Sequence, residues 1–191
     1  MKVRDIWQPI SKRKQMTSLR IEVAKNTLVV PIGPAGCGKS TLLFAVAEAN
    51  LDSGWRYGND DVRAALGLYV YTKDVSAAIA QAALDMVRAR LVAGLGAALD
   101  STHNGHRARL NAVALARREK APVIALLSKV PLSVVLARNA ARHPNKRVPE
   151  DIIQQMYSNL EGVTVATLTE EGFDQVYVFD ETTERLDMSF N

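Results

Sequence analysis

The sequence predicts an α/β fold, a central parallel β-sheet flanked by helices, and two observations lead there. Short apolar runs of strand length alternate along the chain with longer segments whose apolar residues recur at helical spacing, the pattern of successive β–α units. The first of these runs, NTLVVPI at 26–32, enters a helical pattern through a glycine-rich turn with no linker between them. A chain of 191 residues with 48% hydrophobic content buries one sizeable core, most simply as a single domain.

Taken in order, Leu28, Val29, Val30 and Ile32 read as a buried central strand, and Leu42, Leu43, Val46 and Ala47 as one face of the helix that follows. GWRYG at 54–58 reads as a short second strand running into Asn59-Asp60-Asp61-Val62-Arg63. Ala78, Ile79, Ala82, Ala83, Met86, Val87 and Leu91 predict a helix over 75–92, ended by Gly94 and Gly96. AALD at 97–100 is a third strand, 107–119 a helix, and PVIALLS at 122–128 a fourth strand. A helix over 132–142 stops before Pro144, and another starts near Pro149 with Glu150 and Asp151 in its first turn. VYVFD at 176–180 is the fifth strand, and no internal repeat or long linker interrupts the series.

The turn after the first strand is Gly33-Pro34-Ala35-Gly36-Cys37-Gly38-Lys39-Ser40, the Gly-x4-Gly-Lys-Ser phosphate loop in its strand–loop–helix setting. Gly33, Gly36 and Gly38 let backbone N–H groups, that of Cys37 included, curl around phosphate oxygens, and the helix N-terminus adds partial positive charge. Lys39 reaches toward the β- and γ-phosphates of ATP, Ser40 toward Mg²⁺, and Thr41 completes the nucleotide-binding set. Cys37 is the chain's only cysteine, so no intrachain disulfide forms and its side chain is assigned no catalytic part.

Charged residues gather where strands end, the edge at which open α/β sheets bind ligands. Asp100 is the candidate acid for the Mg²⁺ shell, although an acid there also caps a turn. Asp60 and Arg63 share a helix face: a carboxylate to take a hydroxyl proton and a cation to orient the acceptor, or equally an N-cap with a surface ion pair. Arg138 and Arg142 lie four apart on one helix face, where a phosphoryl group between them would offset their repulsion, or where they simply form a solvated face. HPNKRVPED follows as a lid turn, with Lys146 and Arg147 as weaker candidates.

Residues 1–25 carry seven bases against two acids, a net of +5, while the rest of the chain is near neutral. Read as a basic N-terminal arm ahead of a domain at 26–191, this segment suits a partner that carries phosphates, and it equally suits a solvated tail. No apolar run has the length of a membrane span and the N-terminus lacks a signal-peptide pattern, so the expectation is a cytoplasmic protein with no membrane contact.

The series GPAGCGKST, NDDVR, YTKD, ALDST, VVLARNAARHPNKRVPEDIIQQMY and EEGFDQVYVF resembles the kinase domain of phage and bacterial polynucleotide 5′-kinases over about 26–184. The resemblance implies a P-loop kinase fold with a helical lid, ATP and Mg²⁺ as cofactors, and nucleic acid 5′-OH ends, DNA or RNA, as partners. It implies Asp60 as general base on the 5′-hydroxyl and Arg63 as a contact to the acceptor strand near it. Asp100 would support the metal, and Arg142 would clamp the donor phosphates with Arg138 assisting. Where these kinases show Asp-x-Thr-Asn, this chain reads Asp100-Ser101-Thr102-His103; His103 and His106 are read as structural. Arg109 matches a recurring arginine whose role the sequence does not supply. Neither an Asp-x-Asp-x-Thr phosphatase signature nor a ligase lysine motif is found, so those steps would fall to separate phosphatase or ligase partners. A kinase of a small hydroxylated metabolite and a non-catalytic ATP switch remain as alternatives. Trp55, Tyr57, Tyr69 and Tyr71 would stack on bases or fill core and rim.

Overall fold

The computed structural model of the protein describes residues 17–50, 52 and 54–191. Five parallel strands, β2 (Leu28–Ile32), β3 (Arg56–Gly58), β4 (Ala97–Asp100), β5 (Val123–Ser128) and β6 (Gln175–Phe179), form the main sheet in the order β3-β4-β2-β5-β6. Every neighbouring pair runs parallel. Between them lie α1 (Lys39–Ala49), α2 (Asn59–Leu66), α3 (Lys73–Val92), α4 (His106–Arg118), α5 (Leu132–Ala140), α6 (Glu150–Ser158) and α7 (Val165–Glu170).

The central strand β2 is buried on both sides, as a strand covered by helices on each face must be. Leu28, Val30 and Ile32 join a core with Ile79, Val87, Ala112 and Phe173 on one face. Val29 points to the other, with Leu43 and Val46 of α1, Ile124, Leu126 and Ile153. β2 pairs with β5 along its whole length but with β4 only at Leu28 and Val29. Beyond that point β4 follows β3, and the gap that opens at the strand ends receives the loop after β4: Thr102 O accepts from Gly33 N–H at 3.0 Å. This is the crevice in which ligands of such sheets sit.

A second, two-stranded parallel sheet pairs β1 (Thr17–Val23) with β7 (Thr183–Phe190). Ile21, Val23, Leu186 and Met188 bury one face of it in the core that α1 shares, and Trp55 meets Phe190 edge-on with ring centroids 6.1 Å apart. The segment read as a basic arm over 1–25 is thereby corrected at its C-terminal end. Residues 17–23 are a strand, because Leu19, Ile21 and Val23 alternate inward between charged neighbours. Residues 1–16 of the arm lie outside the described residues. Among the described residues no helix is long and apolar enough to cross a membrane.

Element boundaries follow capping chemistry. α3 starts at Lys73 rather than Val75 because the Thr72 hydroxyl accepts the Val75 N–H. α5 ends at Ala140, not Arg142, so the lid arginines do not share one uninterrupted helix; a 3₁₀ turn at Pro144–Lys146 follows.

Candidate active site

The phosphate loop is shaped by its glycines. Gly36 and Gly38 have φ of 94° and 106°, a region closed to most side chains. A Cβ at Gly33 would lie 2.6 Å from Ser128 Cβ and 2.7 Å from Cys37 Sγ, so only hydrogen fits there. Gly38 caps α1 without a side-chain hydrogen bond, leaving the first-turn N–H groups of an 11-residue helix for an anion. The buried Lys39 ammonium donates to the loop's own carbonyls, Gly33 O at 2.9 Å and Pro34 O at 2.8 Å. Ser40 and Thr41 are exposed at the helix start, and Cys37 is buried.

The lid residues come to the outer side of this loop. Arg138 Nη1 donates to Cys37 O at 3.1 Å. Arg138 and Arg142 line, with Gly38, Thr41 and the turn before β7, a cleft of about 1070 Å³, ample for a nucleoside triphosphate. The buried Asn139 ties the lid turn back to α5: its amide donates to Val148 O at 2.8 Å and its Oδ1 accepts Val148 N–H at 3.0 Å.

On the other side stand the acids, and the structure separates their duties. Asp61, not Asp60, caps α2, accepting the Gly58 N–H at 2.8 Å. Arg56 bridges Asp61 and Asp100, at 2.7 Å to each. Burial alone would lower the Arg56 pKa, yet the two carboxylates hold it above the ordinary value. Asp60 is exposed, and no partner engages its carboxylate among the described residues. The alternative of an Asp60 cap with an Asp60–Arg63 surface pair is thus not what forms. Arg63 turns inward instead, 5% exposed, donating to Leu68 O, Val70 O and Ser76 Oγ. At the position read as an acceptor contact, its guanidinium holds the loop after α2. Asp100 ends β4 beside the phosphate loop with one oxygen on Arg56; a serine hydroxyl and a carboxylate oxygen of this kind are donors that suit Mg²⁺ completed by phosphates and water.

His103 occupies the gap between β2 and β4. At φ 44° and 4% exposed, its Nδ1–H donates to Pro31 O at 2.9 Å, so the ring is held as the Nδ1–H tautomer. Burial, and then the Lys39 charge, lower its pKa to about 4 against the opposing pull of the Pro31 carbonyl. His106 is exposed and pairs with Glu171. Arg109 acquires a role here: it grips both Glu171 oxygens, at 2.7 and 2.6 Å, and donates to His103 O and Asn104 O, stapling the loop after β4 to α7.

A family profile described as an AAA domain matches residues 28–163, more than half of the chain. The chain belongs to that family. Among solved structures, the AAA domain is similar to one described as the Pnkp1/Rnl/Hen1 RNA repair complex, with a TM-score of 0.62 and 22% identity over 79% of this chain and 47% of that one. It is similar also to a gluconokinase from Sinorhizobium meliloti, TM-score 0.55 and 18% identity, over 82% of this chain and 83% of that one. A curated sulfate/thiosulfate import ATP-binding protein of Gloeobacter violaceus is 45% identical over 51 residues, and that match spans 15% of its length. The fold is that of a P-loop kinase-like, nucleotide-binding domain.

Three residues of this AAA domain's site escaped sequence reasoning. Arg56 sits in a three-residue strand with no motif around it, although its place before an Asp-Asp pair was a signal. Asp61 was passed over for its neighbour, although Asp at the third helical position is the capping-box pattern. Asn139, inside Arg-Asn-x-x-Arg, could have been found from its place before the lid turn.

Proposed function

We propose that this AAA domain is an ATP-dependent polynucleotide 5′-hydroxyl kinase, transferring the γ-phosphate of ATP to 5′-OH ends of DNA or RNA. One observation carries the reading. Of the two adjacent acids at the start of α2, Asp61 is spent on the helix cap and on Arg56, while Asp60 presents an unengaged, exposed carboxylate just past the carboxyl end of β3. A nucleotide switch has no use for such a base. The resemblance in motif order and the structural likeness to an RNA repair complex support polynucleotide ends as acceptor.

Asp60 accepts the 5′-hydroxyl proton as that oxygen bonds to the γ-phosphorus and the bridging oxygen departs with ADP. Lys39 exchanges its bonds to Gly33 O and Pro34 O for phosphate oxygens, and Arg138 and Arg142 close on them from the cleft side. Ser40 and Asp100 would hold Mg²⁺, which supplies charge neutralisation on the phosphates.

Incubation with γ-labelled ATP and 5′-OH DNA and RNA oligonucleotides, with 5′-phosphorylated controls, tests the reading. Label is expected on 5′-OH strands alone, and Asp60→Asn should lower turnover roughly 10²–10⁴-fold with ATP affinity little changed. Near-normal turnover in Asp60→Asn would remove Asp60 as the base. The second reading, a kinase of a small hydroxylated metabolite, is favoured by the gluconokinase likeness, which spans most of both chains. Label transferred to gluconate or another polyol, and to no strand, would select it.

A further inference from the structure

We infer that the loop between α2 and α3, residues 67–72, is a stacking platform for a nucleobase of the acceptor strand, and that Arg63 is the residue that positions it. This rests on the polynucleotide reading and adds how the strand is held.

The structure divides the four aromatics that the sequence offered for stacking. Trp55 is 2% exposed against Phe190, and Tyr57 packs on the core. Tyr69 and Tyr71 are 65% and 73% exposed, and Leu66, Leu68 and Val70 around them are exposed as well. A run of large apolar side chains at the surface is anomalous for a loop that only connects two helices.

What orders this loop is its backbone, gripped from inside. Arg63 Nη1 donates to Val70 O at 2.7 Å and Leu68 O at 3.3 Å, and Nη2 to Ser76 Oγ at 3.0 Å. The guanidinium carbon lies 4.3 Å from the Tyr71 ring centroid. The carbonyls therefore point in and the side chains out, with one face of Tyr71 resting on a buried cation and the rest of the ring open. Such a ring is pre-organised to stack on a flat partner without losing further side-chain freedom.

Position selects the occupant. Asp60 stands at the start of α2 and the loop leaves the end of the same helix, about 10 Å further along its axis. That span is within reach of the first nucleotides of a strand whose 5′-hydroxyl is placed at Asp60. A base supplies the π-face that two exposed tyrosines take, whatever its identity. The exposed Lys73 just beyond the loop suits the strand's phosphate. A polyol has no such face.

The test compares wild type, Tyr69→Ala/Tyr71→Ala and Tyr69→Phe/Tyr71→Phe with a 5′-OH oligonucleotide and with the same strand made abasic at its first two nucleotides. The alanine pair should raise KM for the intact strand about tenfold or more while kcat at saturation changes less than about twofold. The phenylalanine pair should restore KM. On the abasic strand wild type and the alanine pair should converge, since the missing base and the missing rings remove one interaction. An unchanged KM in the alanine pair, with wild type transferring label normally, would overturn the platform and leave the kinase reading standing. A concentration-dependent dimer seen by sedimentation in wild type only, with KM unchanged, would assign the patch to a second copy and also overturn it. Failure of wild type to label any strand would overturn both.

Discussion

His103 should make this fold acid-sensitive in a window that its burial defines. The imidazole is held neutral between β2 and β4, its pKa lowered from 6.5 to about 4, first by burial and then by the Lys39 charge. Because the folded value lies below the unfolded one, the neutral ring's contribution to stability is complete above pH 6.5. It is lost as pH falls toward 4, where the unfolded chain has taken a proton that the folded chain refuses. The full shift corresponds to roughly 3 kcal/mol, and the part that falls between pH 7 and pH 5 is about 2 kcal/mol. Asparagine tolerates the positive φ found at position 103 and does not titrate. Urea unfolding of wild type and His103→Asn at pH 7 and pH 5 isolates the effect, since Glu171 and Asp174 are common to both proteins. Wild type should lose about 2 kcal/mol more than the variant over that interval. Equal losses would show that His103 is not the buried neutral group the geometry describes.

Two further perturbations probe the site's scaffold. Arg56→Met leaves Asp100, whose side chain is 6% exposed, without its partner. Denaturant unfolding should register a loss of about 3–5 kcal/mol, and a loss below about 1 kcal/mol would show the carboxylate to be solvated. Gly33→Ala places a methyl group 2.6 Å from Ser128 Cβ and 2.7 Å from Cys37 Sγ. Overpacking of about 1–3 kcal/mol that displaces the phosphate loop should weaken ATP binding about tenfold in calorimetry, while unchanged affinity would mean that the loop absorbs the group.

Most of the main sheet was legible because β2, β4, β5 and β6 are largely apolar runs, while β3, Arg-Tyr-Gly, was legible only from the glycines at 54 and 58 around it; the strand predicted over 97–100 forms as Ala97–Asp100. The small sheet was not. Leu19, Ile21 and Val23 alternate, as do Leu186 and Met188, but Arg20, Glu22, Glu184, Arg185 and Asp187 stand between them and read as solvated chain ends. Their pairing, Thr17 opposite Thr183, joins segments at opposite ends of the chain, which no local window senses. α7 is six residues long, too short for a periodic signal, and forms around the Thr164–Thr167 cap. Within the site, the shape of the loop between β2 and α1 was readable, because Gly36 and Gly38 take the positive φ that their spacing calls for and α1 starts at Lys39. The acids were readable only as candidates, because which of two adjacent aspartates caps a helix depends on where the helix starts.

That start is decided by Gly58. A Cβ there would lie 2.4 Å from Asp100 O, so β3 approaches β4 closely only with glycine, and its N–H is then presented to the residue three positions on, Asp61. Arg56, two residues earlier on the same strand, meets Asp61 and Asp100 together and locks both carboxylates. Asp60, one position off this lock, is left facing solvent by the same geometry that satisfies its neighbour. Neutralising Asp60 therefore leaves the cap and both ion pairs in place, so loss of turnover in Asp60→Asn with an unchanged unfolding midpoint reports on chemistry. Neutralising Asp61 would disturb the helix start and Arg56 together, and its effect on turnover would report on folding.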